Sequence, residues 1–239
     1  MIASVDSLSV KIFADGADIQ SMLEMNQKTH ILGLTTNPTL MRKAGVVNYR
    51  QFALEVVSNI KVKPISFEVF ADDLEEMKRQ GLEIASWAEN IYVKIPITTT
   101  SGESTSPVIE FLANRSIKVN VTALMTADQV ASVVKVLNPE VPSYVSVFAG
   151  RIADTGRNPI PIMMNALEIL CSQPRAELIW ASPRELLNII QANEIGCHII
   201  TATSDILAKL PLLGYSLNEY SLDTVKMFRR DTLESGFSL

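Results

Sequence analysis

The chain has 239 residues, 47% hydrophobic and 20% charged, with a formal net charge of −5, proportions that suit one large globular domain with a well-filled core. The negative balance and scattered basic residues argue against a nucleic-acid surface. The apolar runs Ile91 to Ile97 and Tyr144 to Ala149 fall far short of the roughly 20 residues a membrane span needs, and Met1 to Val10 lacks the charged flank of a secretory signal. A cytoplasmic protein is expected.

Short β-branched runs alternate with longer amphipathic stretches in eight βα units, the pattern of a parallel sheet. The first strand, Val10 to Ala14, ends beside Asp15. The second, Ile31 to Thr35, runs into Thr36 and Asn37. Pro38 can open the next helix with Asn37 as its cap, although the Asn37 amide could equally hold a substrate hydroxyl. The third, Ile65 to Phe70, carries Glu68 and leads to a helix over Leu74 to Glu89. The fourth, Ile91 to Ile97, carries Lys94. The fifth, Ile117 to Val121, carries Asn120 with Thr122 just beyond, and the helix Thr126 to Leu137 follows, opened by the capping-box spacing of Thr126 and Gln129. The sixth, Tyr144 to Ala149, carries Ser146 and Phe148 and is followed by Arg151. The seventh, Glu177 to Ala181, is followed by Ser182 and Arg184 and a helix over Pro183 to Asn193. The eighth spans Gly196 to Thr201. The tail, Leu217 to Leu239, sets Tyr220, Val225, Met227 and Phe228 among charges and reads as an extra helix packed on the barrel or on a neighbouring subunit. Eight units in roughly 200 residues fit an α/β fold of the closed (β/α)8 TIM-barrel type better than an open doubly wound sheet. No GxGxxG or Walker motif follows any strand.

The two cysteines, Cys171 and Cys197, form no CxxC pair and are expected to be buried thiols. The two histidines, His30 and His198, lie far apart, which leaves little material for a zinc site or a Ser-His-Asp triad. In a barrel the active site is built at the carboxyl ends of the strands, where seven of the eight strands place polar groups. Strand alternation puts Lys94 on the interior with Tyr92, while Ile91, Val93 and Ile95 face the helices. Asn120 with Thr122, and Ser146 with Phe148, repeat the arrangement. An interior lysine between Val93 and Ile95 is desolvated, which disfavours its charged form and makes it a nucleophile for ketone carbonyls. The alternative is a lysine tied in an ion pair with Glu68 or Asp15. Those two acids could shuttle the protons that imine chemistry requires, or they could be solvated rim charges. Arg151 and Arg184, with Ser182, form a phosphate site in the manner of guanidinium forks, unless the arginines make surface salt bridges.

Leu34-Thr35-Thr36-Asn37-Pro38-Thr39-Leu40 and Tyr92-Val93-Lys94-Ile95-Pro96 resemble the two signature strands of transaldolases and their relatives, the fructose-6-phosphate aldolases. The likeness continues through Phe13-Ala14-Asp15, Phe67-Glu68-Val69, Asn120-Val121-Thr122, Ser146 to Ile152 and Ala181-Ser182-Pro183-Arg184. The resemblance implies that Lys94 forms a Schiff base, that Asp15 is the acid or base at the cleaved bond, and that Glu68 works through a water held by Thr122. It implies substrate contacts from Asn37, Asn120 and Ser146, with Thr36 and Phe148 beside them, and a phosphate held by Arg151, Ser182 and Arg184. No metal or organic cofactor is implied, and the partners are small sugar phosphates. The aldolase branch carries Gln where Glu68 stands and Tyr where Phe148 stands, which favours transfer over free cleavage. Gly16, Val147 and Pro183 depart from the common Thr, Pro and bulkier apolar residue. Short relatives imply a homo-oligomer, a pentamer-based decamer or a dimer. A free aldolase and a non-catalytic sugar-phosphate binder are the competing readings.

Overall fold

The computed structural model describes residues 4–237. Met1–Ala3, part of the stretch weighed as a secretory signal, and Ser238 and Leu239 of the tail lie outside the described residues. Eight strands form a closed parallel barrel in chain order: β1 Lys11–Asp15, β2 Ile31–Thr35, β3 Ile65–Glu68, β4 Ile91–Pro96, β5 Val119–Leu124, β6 Ser143–Val147, β7 Ala176–Trp180 and β8 Ile199–Thr203. The helices are α1 Ile19–Gln27, α2 Pro38–Lys43, α3 Tyr49–Asn59, α4 Leu74–Ala85, α5 Ser106–Ala113, α6 Ala127–Val134, α7 Ala149–Asp154, α8 Ile160–Leu170, α9 Leu187–Glu194, α10 Ser204–Leu207 and α11 Leu217–Ser235. The expected TIM barrel is therefore present. Among the described residues no helix is long and apolar enough to cross a membrane.

Two apolar layers hold the barrel. Between strands and helices lie the outward-facing strand residues, among them Val93, Ile95, Val119 and Val121, each at most 1% exposed. Inside the barrel, Phe13, Tyr92, Tyr144, Ile179, Ala181 and Ile199 form a second cluster that Phe148 joins. Tyr92 and Tyr144 stack with ring centroids 3.9 Å apart, and Phe13 meets Tyr144 edge-on at 5.7 Å. Gly33 makes room for this plug, since a Cβ there would lie 2.5 Å from the Phe13 ring. The inside of the barrel is a packed floor, and the open end lies above it.

Several strand ends differ from the sequence-based boundaries for local reasons. Ile117 belongs to the turn that closes α5: Ser116 is left-handed (φ 59°), and the amides of Ser116 and Ile117 donate back to Ala113 and Leu112. The same closure ends α9, where Gly196 (φ 72°) and Cys197 donate to Asn193 and Ala192, so β8 starts at Ile199 and reaches Thr203. β3 stops at Glu68 because the Phe70 and Ala71 amides turn away to Gln80 Oε1 on α4. β6 stops at Val147, since Phe148 already precedes the first turn of α7. Helix bounds shrink likewise: α4 ends at Ala85, α6 covers Ala127–Val134 behind the Thr126–Gln129 capping box, and α9 begins at Leu187. In β5 the register shifts between Val121 and Leu124 around Ala123, whose φ is 64°. This bulge keeps Thr122 inward while returning Leu124 to the outer core.

Cys197 is buried, whereas Cys171, expected to be buried, is exposed because it caps the surface end of α8. The tail forms α11 as expected, but it buries no residue against its own barrel.

Candidate active site

At the carboxyl ends of the strands a cavity of about 590 Å³ opens, lined by residues from every strand or strand end except the packed floor below. Lys94 rises into it from β4. Its flanking residues Val93 and Ile95 face the helix layer, but the amine itself meets polar groups: Nζ lies 3.2 Å from Glu68 Oε2 and donates to the Thr36 carbonyl at 2.9 Å. The ion pair with Glu68 weighed from the sequence is thus present, inside the barrel, and Lys94 is only 6% exposed. Glu68 is aimed by its own backbone, whose carbonyl accepts from the Tyr49 hydroxyl at 2.7 Å.

Asp15 lies across the cavity at the end of β1. Thr35 Oγ1 donates to its Oδ1 at 2.8 Å, and Asn37 Nδ2 donates to its Oδ2 at 3.2 Å. Asn37 serves both readings of its position, because Oδ1 caps α2 by accepting from the Leu40 amide at 3.0 Å and that bond turns the amino group toward Asp15. Burial raises the Asp15 carboxyl above its ordinary value, with Glu68 pushing the same way. The charge of Lys94 and the Thr35 and Asn37 hydrogen bonds oppose the rise without cancelling it.

The remaining sequence-derived residues separate into those on the cavity wall and those beneath it. Thr122, Ser146 and Phe148 line the cavity. Among the described residues the Thr122 hydroxyl is buried and has no hydrogen-bond partner. Thr36 and Asn120 are fully buried and do not line it: Thr36 Oγ1 donates to the Ser66 carbonyl at 2.9 Å, and Asn120 donates to Ser66 Oγ while accepting from Ser146 Oγ at 2.7 Å. Asn120 therefore reaches the cavity only through Ser146.

Arg151, Ser182 and Arg184 come together at the rim. Gly150, at the start of α7, touches the loop after β7 so closely that a Cβ would lie 1.6 Å from the Ser182 carbonyl oxygen. Ser182 itself is left-handed (φ 61°) and Pro183 follows on the cavity wall. Arg184 pairs with Asp154 of α7, and its amide donates to Asn188 Oδ1 at 2.7 Å. Sequence reasoning missed Lys43, Thr201, Thr203 and Asp205, which also line the cavity. The only available signal was the hydroxyl run at the end of β8, hidden by the misplaced start of that strand. Among the described residues no group of three or more His, Cys, Asp and Glu side chains could hold a metal ion.

The sequence profile of the Transaldolase/Fructose-6-phosphate aldolase family matches residues 12–238. The chain belongs to this family. Similar relatives include proteins named "Probable transaldolase" from Methanococcus maripaludis strain C5, 32% identical over 90% of this chain and 97% of that one, and from Thermoanaerobacter sp. strain X514, 33% identical over 96% and 100%. A third, from Clostridium acetobutylicum, is 32% identical over 92% and 100%. Among solved structures, a 2,3-dimethylmalate lyase aligns with a TM-score of 0.55 at 10% identity over 98% of this chain and 86% of that one. A mandelate oxidase aligns with a TM-score of 0.55 at 10% identity over 88% and 74%. At such identities these two share the barrel and carry nothing on activity. For a transaldolase/fructose-6-phosphate aldolase family member, the ordered motifs and the cavity coincide: Lys94, Asp15, Glu68 and the Arg151–Ser182–Arg184 cluster share one open end.

Proposed function

We propose that this chain is a transaldolase that moves a dihydroxyacetone unit from sedoheptulose 7-phosphate to glyceraldehyde 3-phosphate through a Schiff base on Lys94, giving erythrose 4-phosphate and fructose 6-phosphate. The observation that carries the reading is a lysine amine buried within the barrel, in contact with one carboxylate and across a cavity from another.

The amine attacks the ketose carbonyl, and Glu68, through a water on Thr122, moves the protons that expel the carbinolamine oxygen as water. Asp15 then takes the proton of the hydroxyl next to the breaking carbon–carbon bond. The bond electrons pass into the protonated imine, an enamine remains on Lys94, and the shortened aldose phosphate leaves. An incoming aldehyde accepts the enamine carbon, Asp15 returns its proton to the new hydroxyl, and water releases the ketose. Ser146 and Asn37 face the substrate hydroxyls, Asn120 supports Ser146 from below, and Thr36 holds the amine by its carbonyl. Phe148 closes one wall, and Arg151, Ser182 and Arg184 take the phosphate. A fructose-6-phosphate aldolase would instead hydrolyse the enamine and release free dihydroxyacetone. Glu68 and Phe148, in place of the Gln and Tyr of that branch, favour transfer.

Borohydride added with fructose 6-phosphate should reduce the imine and leave a covalent tag on Lys94 by peptide mapping. An active enzyme that stays untagged would refute the mechanism. Release of dihydroxyacetone without an acceptor should be small, and abundant release would assign the aldolase activity instead. Lys94→Met should abolish turnover, and a parent with no turnover but intact sugar-phosphate affinity would point to a binding barrel. The activity fits a cytoplasmic setting. The reading includes a homo-oligomer, for which α11 supplies the surface: Leu217, Tyr220, Val225, Met227 and Phe228 lie on one side of that helix, all exposed.

A further inference from the structure

The mechanism above uses Asp15 but leaves unexplained how a carboxyl so deeply enclosed stays ready to accept a proton. Thr35 Oγ1 lies 2.8 Å from Asp15 Oδ1 and 2.5 Å from Thr201 Oγ1, yet a hydroxyl owns one proton. An ionised carboxylate can only accept, so Thr35 must spend that proton on Asp15. The contact between the two threonines is then a hydrogen bond only if Thr201 is its donor. Among the described residues the Thr201 hydroxyl makes no other hydrogen bond, and its side chain sits at the cavity with 6% exposure.

We infer that Thr201 is a positioning residue for Asp15: its hydroxyl donates to Thr35 and so commits the single Thr35 proton to the carboxylate. Every hydrogen bond in the line Thr201, Thr35, Asp15 points toward the charge, and such chains strengthen when their acceptor is ionised. The other oxygen is fixed independently by Asn37, whose own orientation is locked by the α2 cap. The relay therefore favours the base form of Asp15. It also joins β8 to β1 through β2, three neighbours in the barrel.

The groups that share the electrostatics of Asp15 are Lys94 on β4 and Glu68 on β3, with Thr203 opposite it in register on β8. Lys43 of α2, Asp205 of α10 and the rim arginines Arg151 and Arg184 complete the charged cavity wall. None of these is altered by changing Thr201, so a change in the titration of Asp15 in a Thr201 variant reports the relay.

The inference rests on the proposed role of Asp15 for its kinetic arm and not for its titration arm. The substrate-free enzyme labelled with carboxyl-13C aspartate, assigned with Asp15→Asn, should show the Asp15 resonance titrating at higher pH in Thr201→Val, which keeps the side-chain shape and removes the hydroxyl. Thr201→Ser should restore the parental curve, and Thr201→Ala should behave as Val if the Val variant folds poorly. In transfer assays Thr201→Val should lose about three- to tenfold in kcat/KM at the acid end of the profile and little on the alkaline plateau, the scale of one hydrogen bond between neutral hydroxyls. Superimposable titrations for Thr201→Val and parent, or a Ser variant that behaves like Val, would overturn the relay. A shifted resonance with an unshifted rate profile would uphold the relay and remove Asp15 from the chemistry.

Discussion

Replacing Gly150 by Ala adds one methyl group where the start of α7 meets the loop after β7. The new carbon would sit 1.6 Å from the Ser182 carbonyl oxygen, 2.7 Å from its carbonyl carbon and 3.1 Å from Arg184 Nε. Even a 3.0 Å approach requires the loop after β7 to withdraw by about 1.4 Å, and the obstacle is backbone that cannot rotate aside. Ser182 already holds a left-handed conformation, so the withdrawal falls on a residue with little freedom to adjust. Overpacking of this kind costs about 3 kcal/mol, which for a chain of this size lowers the melting midpoint by about 6–12 °C. Displacing Ser182 and Arg184 by more than an ångström should also cost about 100-fold in kcat/KM for phosphorylated substrates. Unphosphorylated fructose, which does not use the rim cluster, should suffer much less. Thermal melts and transfer assays with both sugars read the two effects, and an Ala variant that matches the parent in melting and in phosphorylated-substrate kinetics would refute the close approach.

Asp15→Asn should abolish transfer and yet raise the melting midpoint at neutral pH. The folded carboxyl titrates above its ordinary value of 3.8 because it is buried, so its favourable contribution exists below that value and is lost as pH rises through the raised one. The gain of the Asn variant should therefore be largest near neutrality and vanish near pH 4; the opposite trend in calorimetry would contradict it. His198 behaves in the reverse sense: burial holds its ring below the ordinary 6.5, and Nδ1 accepts from the Leu178 amide at 3.0 Å. Stability from the neutral ring is present above the ordinary value and lost as pH falls through the lowered one. His198→Leu should flatten the acid limb of a stability profile and cost about 1–3 kcal/mol at pH 7 through the unpaired amide. Deleting 217–239 should leave the circular dichroism and melting of the barrel intact, because α11 buries nothing in it, but should reduce the assembled mass by light scattering. An unchanged mass would exclude α11 as the interface.

What the sequence made legible was the order of strands and the polar residues at their ends, because alternation along a strand is a local property. Lys94, Asn120 and Ser146 could be assigned to the interior from their neighbours alone. The start of β8 was misread because the apolar run Cys197 to Ile200 contains the closing turn of α9, and helix-closing turns look like strand when their residues are apolar. With it went Thr203 and the role of Thr201. Thr36 and Asn120 looked like substrate contacts because a polar residue at a strand end signals a rim position; only packing reveals that Ser66 takes both. The contact between Gly150 and Ser182 joins α7 to the loop after β7 and has no local signature. The Ala123 bulge is equally silent, since alanine rarely marks a left-handed turn.

The double engagement of Asn37 restricts what can replace it. Serine, threonine and aspartate all cap helix N-termini well, but an ionised aspartate has no donor for Asp15, and a serine or threonine hydroxyl must serve Leu40 and Asp15 from one oxygen where the Asn37 amide uses two atoms; an aspartate there would even set two negative oxygens face to face. A variant library screened only for thermal resistance would accept such substitutes and lose the enzyme, because the anchor of a helix and the alignment of a proton carrier are the same amide.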